Sequence, residues 1–266
     1  SGPATVSLVG PDGPFTIDAF EASIVDGKAV SKPGVEPARS VSWYDAKTAC
    51  EAAGKRLCTE GEWLTACTGT PPVDDDHDGV FSTDAVEGRQ HAYGEYWQEG
   101  WCADDRKKGD ATPLITGDHP LCKTPEGVYD LEGLTKEWVG VTPDRAALQG
   151  GSYYSGESTR CAYHKDTESP ETKDESNGFR CCSGGDVSDR IAAAEDRFPG
   201  GKVGDPMLSW TGKTTDGGTL SSADLAGKAV VMTFWASWCE PCKAELPVLA
   251  ELYERHKGQG LVVVGM

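Results

Sequence analysis

Apolar and polar positions along the chain change their period from one stretch to the next, and each change marks an element. Phe15-Thr-Ile-Asp-Ala-Phe-Glu-Ala-Ser-Ile24 alternates and predicts a strand. Ser42 then stands as an N-cap before a helical pattern running from Trp43 to Ala53 and ended by Gly54. Thr59, with Glu62 three residues on, forms a capping box for a second helix. From Gly69 to Gly133 the text is mostly Gly, Pro, Asp and short polar runs, which predicts irregular structure. Short core segments return at Gly150–Tyr154 and Gly178–Cys182, separated by an acidic loop from Asp166 to Glu175. A polar linker follows Ser183, with room for a short helix from Val187 to Arg197, and ends near Gly200-Gly201. Ala229 to Thr233 is an apolar run that reads as a buried strand. Leu246, Leu249, Leu252 and Tyr253 are then spaced for one helix face, and Leu261 to Gly265 is a further apolar strand. The expected class is α+β and loop-rich at first, then an α/β unit of strand, helix and strand. The division is 1–185, a linker at 186–201, and 202–266.

Charge sharpens that division. The 266 residues carry a formal net charge of −18, which argues against nucleic acid or an anionic membrane surface as partner. Residues 1–185 hold 17 Lys and Arg against 32 Asp and Glu, the remainder 8 against 11. Ten cysteines are too many for an ordinary cytosolic enzyme and point to an oxidising compartment, periplasmic or at the cell surface. The chain starts at Ser1 without an apolar leader, so an export signal, or a membrane or lipoprotein anchor, is expected outside it.

The chemistry concentrates in Trp238-Cys-Glu-Pro-Cys242. Cys239 and Cys242 sit where a strand ends and a helix begins, and unpaired N–H groups at a helix N-terminus favour a thiolate. A two-residue gap lets the sulfurs bond to each other, so the pair stores and releases two electrons. Cys239 is expected to attack and Cys242 to resolve the mixed disulfide, with no cofactor. Half of a zinc site or a structural cysteine pair are the competing readings; zinc needs a second ligand pair, and the one His in this segment is His256. Glu245, three residues after Cys242, falls on a neighbouring part of the same helix face. It is expected to be tucked beneath the dithiol, desolvated and fit to relay protons to the resolving sulfur; the alternative, which helix geometry alone does not exclude, is a solvent-facing glutamate paired with a lysine.

Trp238, Cys239, Pro241, Cys242, Glu245 and Pro247 together resemble thioredoxin-like proteins of the TlpA type, exported reductants used in thiol and cytochrome maturation. The resemblance implies partners that are protein thiols or disulfides, plus an upstream redox partner. It also implies a later helix and a cis-proline strand beyond Met266, so the chain reads as a piece of a longer protein.

Residues 15–182 resemble the formylglycine-generating, sulfatase-modifying-factor family. The resemblance is carried by Val41–Ala46, Ala53–Leu57, Thr59–Trp63, Gly127–Leu131, Glu137-Trp138, Gly150–Ser152 and Gly178–Arg180. Active members bind copper through two cysteines after the Gly-Gly-Ser block. Ser155 stands at the first of those places, and the segment is too short to supply the second. Copper(I) wants soft thiolates, so copper oxidase activity is not expected. The resemblance pairs Cys50 with Cys181 and Cys67 with Cys161. Cys102 and Cys122 flank one insertion and are expected to pair locally, which leaves Cys58 and Cys182 for each other.

Three further features stay open at the level of sequence. Asp74, Asp76 and Asp78 occupy positions 1, 3 and 5 of a calcium-type loop, with Gly79 at 6, but Ala85 stands where the bidentate Glu belongs. The stretch is a calcium site or a solvated acidic loop. The family also binds calcium beside a Gly-Asn-x-x-Glu-Trp block, where Leu134 here replaces the Asn. Trp63, Trp97, Trp101 and Trp138 pack a core or line a binding groove.

Overall fold

The computed structural model describes residues 5–72, 87–188, 191, 209–215, 217–235 and 240–265. The chain forms two compact units, Ser1–Arg197 and Phe198–Met266.

In the first unit, β1 (Thr5–Gly10) and β2 (Gly13–Asp18) form an antiparallel hairpin. The alternation from Phe15 to Ile24 does not give one strand. The chain bends at Ala19 and Phe20 and resumes as β3 (Ala22–Val25), which pairs with β4 (Lys28–Ser31) in a second hairpin. Glu21, at the bend, explains the break. It is fully buried and accepts hydrogen bonds from Thr135 N and Thr135 Oγ1, so this stretch is tied to a distant segment rather than to a neighbouring strand.

Helix α1 (Trp43–Ala52) starts where the capping box of Ser42 and Asp45 dictates, and α2 (Glu60–Thr68) starts with the box of Thr59 and Glu62. Each box satisfies backbone N–H groups that have no partner inside the helix. Between the helices lies β5 (Arg56–Leu57). Further along the chain come β6 (Lys136–Val139), β7 (Ala147–Gln149), β8 (His164–Lys165), β9 (Asn177–Phe179) and β10 (Cys181–Gly184).

Two four-stranded sheets result, in the orders β1-β2-β10-β5 and β8-β7-β6-β9. The pairing of β6 with β9 is parallel and sets Lys136 opposite Asn177 and Trp138 opposite Phe179. Helix α2 covers β1 and β2, burying Val6, Phe15, Ile17, Trp63 and Leu64. Helix α1 packs on β4, β5 and β6 and buries Trp43, Leu57, Trp138, Leu148 and Phe179. Removing this apolar area from water is the main term holding the unit together.

Disulfides cross-link the same layers. Cys50 bonds Cys181, Cys58 bonds Cys182, Cys67 bonds Cys161 and Cys102 bonds Cys122. Consecutive residues in a strand face opposite sides. Cys181 and Cys182 of β10 therefore tie one strand to α1 on one side and to the residue after β5 on the other.

In the second unit, β11 (Thr211–Lys213) and β12 (Thr219–Ser221) form a hairpin. Strand β13 (Ala229–Thr233) pairs in parallel with β14 (Leu261–Gly265), and α3 (Glu240–His256) connects them. This is a β-α-β unit, the connection that a parallel pair requires.

Candidate functional site

The β13-α3-β14 unit places the dithiol motif. Strand β13 ends at Thr233, and α3 begins at Glu240, so Cys242 lies in the first turn of the helix. Cys242 is half-buried and disulfide-bonded. Its sulfur therefore sits at the end of the helix where N–H groups lack partners and the dipole favours negative charge. Pro241 occupies the same first turn, a place a helix tolerates because no N–H is needed there. Trp238 and Cys239 lie outside the described residues.

Leu246, Leu249 and Tyr253 turn toward Val262 and Val263 of β14, around a cavity of about 320 Å³. Pro247 is accommodated inside the helix. Glu245 departs from expectation. It is exposed, so the desolvation foreseen for a carboxylate beneath the dithiol is absent. Helical spacing sets its distance from Cys242 along the helix, but burial needs a second element over that face.

The first unit forms a tight turn at Ser152–Ser155, where the resemblance places a copper-binding cysteine. Gly150 has φ +85°, and a Cβ there would sit 2.1 Å from Leu131 O, so only glycine fits this turn. The chain then folds back on itself. Ser152 N–H donates to Ser155 Oγ at 2.9 Å, and the two hydroxyls lie 3.2 Å apart. Ser155 closes a turn; it does not offer a soft ligand. All eight cysteines of this unit are held in disulfides.

Glu137 is likewise committed to structure. Its carboxylate receives Arg180 Nε and Nη2, each at 2.6 Å, and Trp63 Nε1 at 2.9 Å, with no exposure of any partner beyond 1 %. Leu134, at the position of the family's Asn, takes a left-handed φ of +46° and is buried. Asn tolerates that backbone better than Leu does.

Of the four tryptophans named as groove candidates, Trp63 and Trp138 belong to the core. Trp97 and Trp101 are half-buried at the surface, where Trp101 packs 5.2 Å from Tyr93 and Trp97 Nε1 donates to Asp104 at 2.9 Å. Asp74, Asp76 and Asp78 lie outside the described residues.

Sequence reasoning missed the buried acidic centre of this unit. Asp18, Glu21, Asp130 and Glu137 surround Arg180, with Lys55 Nζ paired to Asp18 at the edge. Burial pushes the Asp130 carboxyl up to about 7. Burial, and then the charge of Glu137, hold Glu21 well above the usual carboxylate range. A pattern reading finds such a cluster poorly, because its members are scattered from residue 18 to residue 180.

A strand-linked helix with a disulfide-bonded cysteine in its first turn is the arrangement of thioredoxin-like proteins, and the layered, disulfide-stapled first unit is of a separate kind. Residues 18–184, more than half of the chain, match the sulfatase-modifying factor enzyme 1-like domain. The protein belongs to that family. Residues 203–266 match the AhpC/TSA family. The thiol-disulfide oxidoreductase ResA of Oceanobacillus iheyensis is 39% identical over 69 residues, which are 24% of this chain and 36% of that protein. The ResA of Bacillus subtilis is 44% identical over 52 residues, 20% of this chain and 29% of the relative. The chain thus spans about a third of the length of the curated relatives it matches. Among solved structures, CarF is similar at TM-score 0.41 and 17% identity, over 64% of this chain and 86% of that one. PvdO from Pseudomonas aeruginosa is similar at TM-score 0.40 and 16% identity, over 67% and 90%.

Proposed function

We propose that the protein is an exported thiol-disulfide oxidoreductase, joining a thioredoxin-like dithiol unit to a disulfide-stapled domain that does no copper chemistry. The observation that carries this reading is the half-buried, disulfide-bonded Cys242 in the first turn of α3, the helix that links two parallel strands. In the reaction, the Cys239 thiolate attacks one sulfur of a protein disulfide and expels the other as a thiolate. Cys242 then attacks Cys239 and releases the second substrate thiol. Two electrons leave the dithiol, and an upstream dithiol restores them. The ResA likeness of the second unit supports the reaction class, and four disulfides in the first unit support an oxidising compartment. Among the described residues no helix is long and apolar enough to cross a membrane.

The test is reduction of insulin by the pre-reduced protein. Cys239→Ser is expected to abolish turnover, and Cys242→Ser to trap mixed disulfides; turnover that survives Cys239→Ser would overturn the reading.

A cell-surface binding module is the second reading, favoured by the half-buried aromatic group of Tyr93, Trp97 and Trp101. It gains if insulin reduction is absent while a partner protects those rings from quenching. Formylglycine formation is the third reading, and Ser155 opposes it. Calcium at Asp74, Asp76 and Asp78 is a separate proposal, checked by whether millimolar calcium raises the melting temperature.

A further inference from the structure

Glu132 presents one carboxylate oxygen to both sulfurs of a disulfide. Its Oε1 lies 3.8 Å from Cys67 Sγ and 3.8 Å from Cys161 Sγ, and all three residues are buried. Disulfide sulfurs carry no proton, so neither contact is a hydrogen bond in the oxidised protein. The carboxylate is held from its other sides. Ala92 N donates to Oε1 at 2.8 Å, and His91 Nδ1 meets Oε2 at 2.9 Å. The His91 ring is itself stacked on Tyr93, with centroids 5.4 Å apart. Glu132 is therefore fixed in place by groups that do not depend on the disulfide.

Among the described residues, Cys67, Cys161 and Glu132 form a group whose ligand atoms all lie within 4.8 Å of one another. Two thiolates and a carboxylate are a borderline-soft donor set of the kind that holds Zn²⁺. With Zn–S bonds of about 2.3 Å and a Zn–O bond of about 2.0 Å, sulfur and oxygen on a tetrahedral ion stand roughly 3.5 Å apart. The 3.8 Å separations already approach that edge.

We propose that Cys67, Cys161 and Glu132 are a redox-gated zinc site, closed as a disulfide when oxidised and binding the ion when reduced. The exchange balances. A dithiol gives two electrons and two protons to the Cys67–Cys161 bond, becoming a disulfide itself and leaving two thiols. Zinc then displaces two protons as the thiolates bind it. A disulfide offers no thiolate, so the metal binds only after the disulfide has opened. Any dithiol serves as reductant, so this inference stands apart from the function proposed for the second unit.

The full chain is reduced anaerobically with dithiothreitol, freed of reductant, and titrated with Zn²⁺, or with Co²⁺ for its thiolate charge-transfer band. Wild type is expected to bind one equivalent more than Cys67→Ser/Cys161→Ser. Glu132→Gln leaves both sulfurs and the oxidised disulfide intact and is expected to weaken zinc binding about tenfold or more. Reduction also frees other thiols, so the Glu132→Gln arm is decisive even where the double variant misfolds. Thiols of an unfolded chain bind zinc without needing Glu132. Equal zinc affinity in wild type and Glu132→Gln overturns the proposal, as does equal stoichiometry in wild type and a folded double variant.

Discussion

Arg180 grips Glu137 with two parallel hydrogen bonds, Nε to Oε2 and Nη2 to Oε1, each 2.6 Å, where neither side chain is more than 1 % exposed. The fork of the guanidinium matches the carboxylate, and the remaining Arg180 donors reach Asp18 O, Tyr129 O and Asp130 O. This pair binds the β6 strand to the segment joining β9 and β10, and so couples the two sheets.

Removing one partner strands the other. Arg180→Met is expected to destabilise the first unit by about 3–5 kcal/mol, because Glu137 is left as an uncompensated buried charge. The double variant Arg180→Met/Glu137→Leu is expected to recover much of that loss. Urea unfolding measures both, and a single-variant cost below about 1 kcal/mol would refute the assignment.

Asp130 supplies a pH signature. Its pKa rises from 3.8 to about 7, with burial the largest cause, so the folded state holds a proton that the unfolded state releases more readily. That contribution to stability is fully present below pH ~4 and is lost as pH rises through ~7. Asp130→Asn keeps the acceptor for Gly117 N and suits the residue's left-handed φ of +56°. The variant is expected to gain stability relative to wild type between pH 4.5 and 8, read as the difference in urea midpoints. A difference that does not change with pH would rule Asp130 out as the source.

Loop length orders the disulfides. In the chain-entropy model, the Cys50–Cys181 closure, with a sequence separation of 131, is worth roughly 5 kcal/mol, and Cys102–Cys122, with 20, roughly 3 kcal/mol. Paired Cys→Ala variants are expected to lower the melting temperature more for the first than for the second. The reverse order would show that native-state packing, not unfolded-state entropy, sets the contributions.

Glu245 yields the fourth expectation. Being exposed, it lacks the desolvation that would couple it to the sulfurs. Glu245→Gln is expected to leave the rate of thiol alkylation in this chain unchanged across pH. A change in that rate would show that the carboxylate reaches the dithiol despite its exposure.

Much of this molecule was legible in local sequence because the deciding interactions are local. Ser42 and Thr59 start α1 and α2 through contacts three residues away, and a change of period at Thr233 announces the strand-to-helix junction that carries Cys242. The single strand expected from Phe15 to Ile24 was read from the same kind of pattern. It splits because Glu21 is bound by Thr135, and no window around Glu21 contains that residue.

Residue identity and short spacing alone fix the helix starts, the place of Cys242 at a helix N-terminus, and the lack of a cysteine at Ser155. Only the tertiary structure decided the parallel pairing of β6 with β9, the burial of Asp18, Glu21, Asp130 and Glu137 around Arg180, and the seating of Glu132 against two sulfurs. It also decided that Glu245 is exposed. The physical reason is common to all of these. Burial and charge pairing depend on which distant segments arrive at the same place, and chain spacing carries no record of that.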